Sequence, residues 1–443
     1  MSSRVAVIGG GFSGLAAGVR LAERGKSVLL LERRRFLGGR AYSFPDPQTG
    51  DMVDNGQHLF MGCYRHTIAF LEKIGCLDRL KFQDRTRVDF LDSANGFTSF
   101  DCPPLHPPLN VAAGLFRLKG LSSGDKLRAL RVGLAINSGE MNGSAPAAEE
   151  MTVSEWLDRL GQSRNIKTRF WYPLAIATLN ESPDVASARM LKVVLKEAFG
   201  SDRNASRIGI ARVGLSDLYT ENARQFIEAR GGEVLTAAHV QELVVEKGRV
   251  VEAILKDGER VGADYFISSV THRALLGILP ATIREGEFAR LNDLATSPIV
   301  SINLWFDRPV TDREFVGLLG ARIQWMFNKD LIVKGSHSSN HIALIISAAR
   351  DFVEMSKNEL TRIALEDLKR LLPETGSASL VHATVVKEPE ATLSHTPLSD
   401  RLRPGPRTSI PNLMLAGDWT ATGLPATIES AVLSGHIAAD LIE

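Results

Sequence analysis

Cysteine is scarce in this chain. Its 443 residues include three, Cys63, Cys76 and Cys102. An odd number with no C-x-x-C spacing argues against a disulfide framework and a cysteine-ligated zinc site, and fits a reducing, cytosolic compartment. An excess of charge of one sign is also missing: 52 Lys+Arg face 51 Asp+Glu, a formal net charge of +1. A dedicated nucleic-acid binder is normally basic overall, so that class is set aside. No stretch reaches the about 18 uninterrupted apolar residues of a membrane-spanning helix. Glycine (38) and proline (19) are too ordinary for a low-complexity chain, and no internal repeat is evident. A chain of this length holds two or three domains of roughly 100–200 residues and buries a large core without a disulfide or metal staple.

What is present begins at once. Val5-Ala-Val-Ile8 is a short apolar run closed by three glycines. It has the outline of a brief signal peptide, but a charged helical pattern follows, so it is read as mature protein and as a buried parallel strand. The spacing Gly9-x-Gly11-x-x-Gly14 is a dinucleotide fingerprint. Gly9 permits the turn out of the strand, Gly11 a close approach of pyrophosphate to backbone, and Gly14 tight helix–strand packing. Phe12 and Ser13 belong to the same expected cofactor-binding turn. Leu15 to Arg24 has helical periodicity and Gly25 caps it. Ser27–Leu31 reads as a second buried strand, ending at Glu32 with Arg33 beside it. Glu32 lies 18 residues beyond Gly14, where a carboxylate accepts from the adenosine ribose hydroxyls.

Gly38-Gly39-Arg40-Ala41 follows; its glycines free the backbone, and the Arg40 guanidinium has the geometry to fork onto phosphate. This Leu-Gly-Gly-Arg element resembles the one in flavin-dependent amine oxidases and carotenoid-type desaturases. Asp54-Asn-Gly-Gln-His58 and Leu59-Phe-Met-Gly-Cys-Tyr64 resemble the segment beside the flavin ring in phytoene and zeta-carotene desaturases. Gly56 lets the backbone pass close to a flat ring. His58 either exchanges protons with ring or substrate or is a core histidine bonded to backbone.

At the far end, Asn412–Ala416 reads as a strand leading into Gly417-Asp418-Trp419 and, past Pro425-Ala426-Thr427, into a last helix over 431–442. Asp418 is suited to accept from ribityl hydroxyls, and the helix start near Ala426 and Thr427 presents N–H groups and a positive dipole end to a flavin. The block resembles the C-terminal FAD motif of the same superfamily. Between 231 and 270, short strands with turn signals suggest a β-meander. The resemblance implies that a backbone group near Val240 touches the adenine. The expected fold class is α/β: a discontinuous Rossmann-like FAD-binding domain from residues 1–70, 205–275 and 405–443, with an inserted α+β substrate domain from 80–200 and 276–400. A cofactor site split in this order favours FAD over NAD.

Residues 105–136 mix apolar side chains with Arg117, Lys119, Lys126, Arg128 and Arg131 against one acid, Asp125. That pattern serves either an anionic membrane surface or a solvated helix face over a core. Trp171, Tyr172, Asn180 and Trp419 are candidate walls of a hydrocarbon pocket, although a Trp-Tyr pair is commonly core. His337 and His341 are four apart but no third ligand is evident, so no metal is expected.

Gly38-Gly-Arg-Ala-Tyr-Ser-Phe44, Asp54–His58, Thr178-Leu-Asn-Glu-Ser-Pro183 and Ala416–Trp419 together resemble the squalene-associated FAD-dependent desaturases of bacterial hopanoid pathways, the hydroxysqualene dehydroxylases. That resemblance implies a cytoplasmic FAD enzyme, peripheral at a membrane, that converts hydroxysqualene to squalene with an external electron donor. His58 is then the candidate general acid, and Trp171, Tyr172 or Trp419 the candidate cation–π partner of an allylic cation. A polyene desaturase, an amine oxidase and a non-catalytic flavin-binding protein are the competing readings.

Overall fold

Strand Arg4–Ile8 lies at the centre of a five-stranded sheet ordered Glu233–Leu235, Ser27–Leu31, Arg4–Ile8, Tyr265–Ser268 and Leu413–Leu415. Every ladder in it is parallel. A parallel sheet is covered on both faces, and the strands read accordingly as continuous apolar runs. Val5, Val7 and Leu30 pack under helices Phe12–Glu23, Leu215–Glu228 and Ile428–Asp440. Ala6, Leu29 and Phe266 face the opposite way, onto the meander Val240–Glu246, Arg249–Leu255, Arg260–Gly262 and the helix His272–Ile278. In this computed structural model, residues 3–137, 150–200, 202–333 and 339–443 are described.

The two chain ends meet on one face of that sheet. Arg20 Nε donates to Asp440 Oδ1 at 2.9 Å, and Ser13 Oγ lies 3.1 Å from Ser434 Oγ. Arg24 donates to the carbonyls of Ala439 and Ile442 at 2.6 and 2.7 Å. A guanidinium there satisfies orphan carbonyls and meets the negative end of the helix dipole.

A second, seven-stranded sheet runs Leu380–Leu393, Thr296–Phe306, His341–Ser347, Trp325–Asn328, Phe315–Leu319, Arg87–Asp92, Gly96–Asp101. It is antiparallel except where Phe315–Leu319 pairs with Arg87–Asp92. The helix Lys357–Leu371 covers one face. Its start is fixed by a capping box between Ser356 and Glu359. Ile299, Ser301, Asn303 and Trp305 alternate onto the other face, where Trp305 Nε1 donates to Asp51 Oδ2 at 2.7 Å. Helices Leu109–Arg117, Ser123–Asn137, Val153–Arg159, Tyr172–Leu179 and Ala188–Phe199 enclose a separate apolar core. Ile208–Ala211 pairs with Leu59–Met61 and Leu80–Phe82 in a three-stranded sheet that joins the layers.

Candidate active site

The turn after the first strand is built on two close approaches. A Cβ on Gly14 would stand 1.9 Å from the Gly9 carbonyl oxygen, so only glycine lets the helix start against the strand end. A Cβ on Gly39 would stand 3.0 Å from Gly11 Cα, so the two glycine turns face each other with no side chain between. Gly38 N donates to Gly10 O at 2.8 Å, which locks them together.

Glu32 closes this end. Its Oε2 accepts from Gly10 N at 2.7 Å and its Oε1 from Arg34 N at 2.8 Å, with the side chain buried. Tyr219, absent from the sequence reading, holds the second glycine turn from below. Its hydroxyl lies 2.9 Å from Gly38 O and 3.1 Å from Ala41 O, and its ring stacks on Phe12. The signal for it was weak: one tyrosine on the buried stripe of an amphipathic helix.

These turns open into one cavity of about 650 Å³. Gly9, Gly11, Phe12, Ser13, Glu32, Arg33, Gly39, Arg40, Gly56, His58, Val240, Gly417, Asp418, Ala426 and Thr427 all line it, as does Asn180. Gly14 sits behind the turn, outside the lining. Arg40 departs from the expected phosphate fork: its guanidinium pairs with Asp418, and Nη1 donates to Ala391 O at 3.1 Å. It thereby ties the first glycine-rich segment to the Gly417-Asp418 loop near the chain end. Ala426 also departs from expectation. Its N–H is directed at His395, 2.6 Å away, and is not a free amide of the last helix.

Asp54 and Gly56 lie on the loop that reaches the middle of the cavity. Asp54 is fully enclosed and accepts from Lys329 Nζ at 2.7 Å, Ser43 Oγ at 2.8 Å and Leu215 N at 3.0 Å. Burial pushes its carboxyl up, but the Lys329 ammonium and the hydrogen bonds outweigh that and hold it below the usual carboxylate range. Lys329 also donates to Gln57 Oε1 at 2.8 Å. His58 Nδ1 lies 2.8 Å from Gly56 O. A carbonyl only accepts, so Nδ1 carries the proton and Nε2 of the neutral ring has a lone pair. Burial lowers the His58 pKa and favours this neutral form. Tyr64, nearby on the lining, shares a hydrogen bond with the Thr427 side chain, and burial raises its pKa.

The remaining wall is mainly apolar, with Ala177, Leu179, Ile299, Trp325, Phe327 and Ile345 beside Thr178, Ser347 and Thr392. The expected aromatic walls are therefore corrected. Trp171 lies in the helical core and donates to Gln162 Oε1 at 3.0 Å. Tyr172 packs beside it with its hydroxyl 3.0 Å from Ser154 Oγ. Trp419 is 2 % exposed and donates to Val270 O at 2.9 Å. Trp325 and Phe327 supply the aromatic lining instead, from a strand whose four residues carry no distinctive spacing. Asn180 reaches the lining, but its side chain is engaged. Nδ2 donates to Ser297 O and Thr392 Oγ1, and Oδ1 accepts from Ala348 N. In the same motif Glu181 makes a bidentate pair with Arg350 at 2.6 and 2.7 Å, anchoring the helix end to the second sheet.

Among the described residues, no group of three or more His, Cys, Asp or Glu could hold a metal ion. His341 stacks on Trp305 and bonds Asn303 Oδ1 at 2.9 Å, while His337 lies outside the described residues. The three cysteines are free.

A side-chain-free glycine cradle, an acid at the second strand end and a Gly-Asp loop meeting across one cavity fit a bound FAD. They define the class: an FAD-dependent oxidoreductase with an α/β nucleotide-binding fold. The chain belongs to the flavin containing amine oxidoreductase family, whose model matches residues 12–443. It is 31% identical to a hydroxysqualene dehydroxylase of Rhodopseudomonas palustris over 100% of this chain and 99% of that one. It is 26% identical to a 15-cis-phytoene desaturase of an Oncidium hybrid cultivar, over 99% of this chain and 77% of that one. An oxidoreductase from Methanosarcina mazei of known crystal structure shares the fold, with a TM-score of 0.73 at 18% identity and coverage of 99% and 100%.

Proposed function

We propose that this protein removes the hydroxyl group of hydroxysqualene, giving squalene for hopanoid formation. One observation carries the reading: a single cavity runs from the nucleotide cradle at Gly11 and Glu32 to an apolar wall at Leu179, Ile299, Phe327 and Ile345. The full-length likeness to the Rhodopseudomonas enzyme supports it. Reductive loss of an allylic hydroxyl exchanges C–OH for C–H and releases water, consuming one hydride and one proton; an external two-electron donor supplies the reducing equivalents.

FAD, when bound, supplies the hydride chemistry. Glu32, Arg33 and Val240 would hold its adenosine end, Gly11, Gly39 and Asp418 the middle, with Arg40 positioning Asp418, and Gly56 and Thr427 the ring end. The apolar wall takes the hydrocarbon and excludes water. His58 serves as proton donor to the departing hydroxyl, and its Nε2 must first take up a proton, because Gly56 O holds the other ring N–H. The test is anaerobic incubation with hydroxysqualene and a reductant, with mass analysis of the product. Loss of the oxygen supports the reading. An unchanged alcohol, together with dehydrogenation of a polyene such as phytoene, would move the assignment to a desaturase.

We also propose that the substrate is drawn from an anionic lipid surface. No helix among the described residues is long and apolar enough to cross a membrane. Leu109 and Phe116 on one helix, and Leu127, Leu130 and Leu134 on the next, are exposed. Asp125, the one acid of this stretch, is withdrawn: it is buried and exchanges hydrogen bonds with Ser122 in a capping arrangement. Arg117, Lys119, Arg128 and Arg131 are left facing outward beside the leucines. Cosedimentation with anionic but not neutral vesicles, lost in Leu127→Ser/Leu134→Ser, is the expected result.

A further inference from the structure

We propose that His395 is a positioning residue for the cofactor. Its neutral, Nδ1-protonated ring holds the turn at Ala426 against the FAD cavity, and protonation of the ring releases that turn.

The residues from Gly417 to Thr427 form a loop that lines the cavity at both ends, through Gly417 and Asp418 and again through Ala426 and Thr427. Three residues of one neighbouring segment pin it. Arg403 donates to the carbonyls of Leu424 at 2.7 Å and Asp418 at 2.9 Å. Pro404 O accepts from Ala421 N at 2.8 Å. His395 Nε2 takes the Ala426 amide at 2.6 Å. The first two are indifferent to pH over the range of a histidine. The third is not.

An amide N–H only donates, so Nε2 must present a lone pair and the ring proton sits on Nδ1. Nδ1 lies 3.6 Å from Asp400 Oδ1, with the His395 and Asp400 side chains 1% and 3% exposed. Neither of those two atoms has a hydrogen-bond partner, so the carboxylate selects the tautomer across a gap. The other Asp400 oxygen accepts from Ser187 Oγ at 3.0 Å, and Ser187 N donates to His395 O at 2.7 Å, so both members of the pair are held from helix Ala188–Phe199.

Adding a proton to Nε2 would bring two N–H donors face to face at the distance of a hydrogen bond. The Ala426 amide would then be buried without an acceptor, and the turn would have to move. Three charged groups face the ring. Asp400 and Asp418 favour the cation, Arg403 opposes it, and burial opposes it most, so the pKa is below the ordinary imidazole value. The neutral, holding form therefore persists throughout the neutral range and is lost only as pH falls below about 6.5.

The experiment follows FAD release from the full-length holoprotein, by flavin absorbance and fluorescence, from about pH 8 to about pH 4.5. Wild type is expected to retain FAD at neutral pH and to release it along an acid limb below about pH 6.5. His395→Gln keeps an acceptor for Ala426 but does not titrate, so its acid limb should be missing or displaced to lower pH. His395→Ala should hold FAD about tenfold more weakly at pH 8, the consequence of a buried N–H without a partner. Asp400→Asn, which leaves the acceptor in place and removes a carboxylate that favours the cation, should shift the limb to lower pH; it serves where a His395 variant does not fold. An acid limb identical in wild type, His395→Gln and Asp400→Asn, or wild-type affinity in His395→Ala, would overturn the proposal.

Discussion

Lys329 Nζ stands 2.7 Å from Asp54 Oδ2, across 275 residues of chain, with both side chains buried. Neither side chain lines the cavity, but each sits beside a segment that does. Asp54 begins the loop that brings Gly56, Gln57 and His58 to the lining, and Lys329 directly follows the strand that brings Trp325 and Phe327. The pair therefore sets the separation between the nucleotide-binding layer and the apolar wall. A buried ion pair contributes little net stability, because desolvation offsets attraction; its contribution here is registration of two layers.

Breaking that pair from one side is expected to be severe. Lys329→Met leaves Asp54 enclosed with an uncompensated charge and should destabilise the protein by about 3–5 kcal/mol, read by denaturant unfolding. Adding Asp54→Asn to it should recover part of the loss. The sign with pH follows from the depressed Asp54 pKa. Its contribution is present above the unfolded value near 4 and is lost as pH falls through the folded one. Acid unfolding of wild type should thus be steeper than that of the double variant.

Gly14→Ala should abolish FAD binding or folding. A methyl group 1.9 Å from a backbone carbonyl cannot be absorbed by a side-chain shift. A yellow, normally stable Gly14→Ala protein would contradict the packing of first strand against first helix.

Glu32→Ala and Asp418→Ala should both weaken FAD retention, for different reasons. Without Glu32, the Gly10 and Arg34 amides lose their acceptor, and a bound ribose would lose its proposed partner. Without Asp418, Arg40 loses the carboxylate that ties the two ends of the chain across the cavity. Equilibrium dialysis against FAD measures each, and wild-type retention in both would remove the proposed site map.

His58→Ala should leave the flavin bound and slow product formation by roughly 10²–10⁴-fold, the range for loss of a general acid. Its lowered pKa gives a second signature. If the protonated ring donates, turnover rises as pH falls toward a value below 6.5, and this rise disappears in the variant. Rates of wild type and variant with the same pH dependence would take His58 out of the chemistry.

Much of the nucleotide end was legible without coordinates. A strand, a glycine turn and a helix are adjacent in the chain, and the steric demand at Gly9 and Gly14 acts over a few residues, so spacing alone reports it. Glu32 followed from the same logic, one strand further on. The Gly417-Asp418 loop was recognisable because a short apolar strand precedes it. The aromatic wall was not legible. Trp171, Tyr172, Trp325 and Phe327 are equally apolar in a list of residues; which pair meets the cavity depends on how the second sheet lies against the first.

The sequence by itself determined the local devices: the turn that leaves no Cβ in the cradle, the acid at the second strand end, the loop at the far terminus. Each is set by covalent geometry and sterics between near neighbours. The tertiary structure alone decided the pairings of Lys329 with Asp54, Arg40 with Asp418, and His395 with the Ala426 amide. A titratable side chain acquires its charge state, tautomer and partner from the environment that burial creates, and burial brings together residues that sequence distance keeps apart.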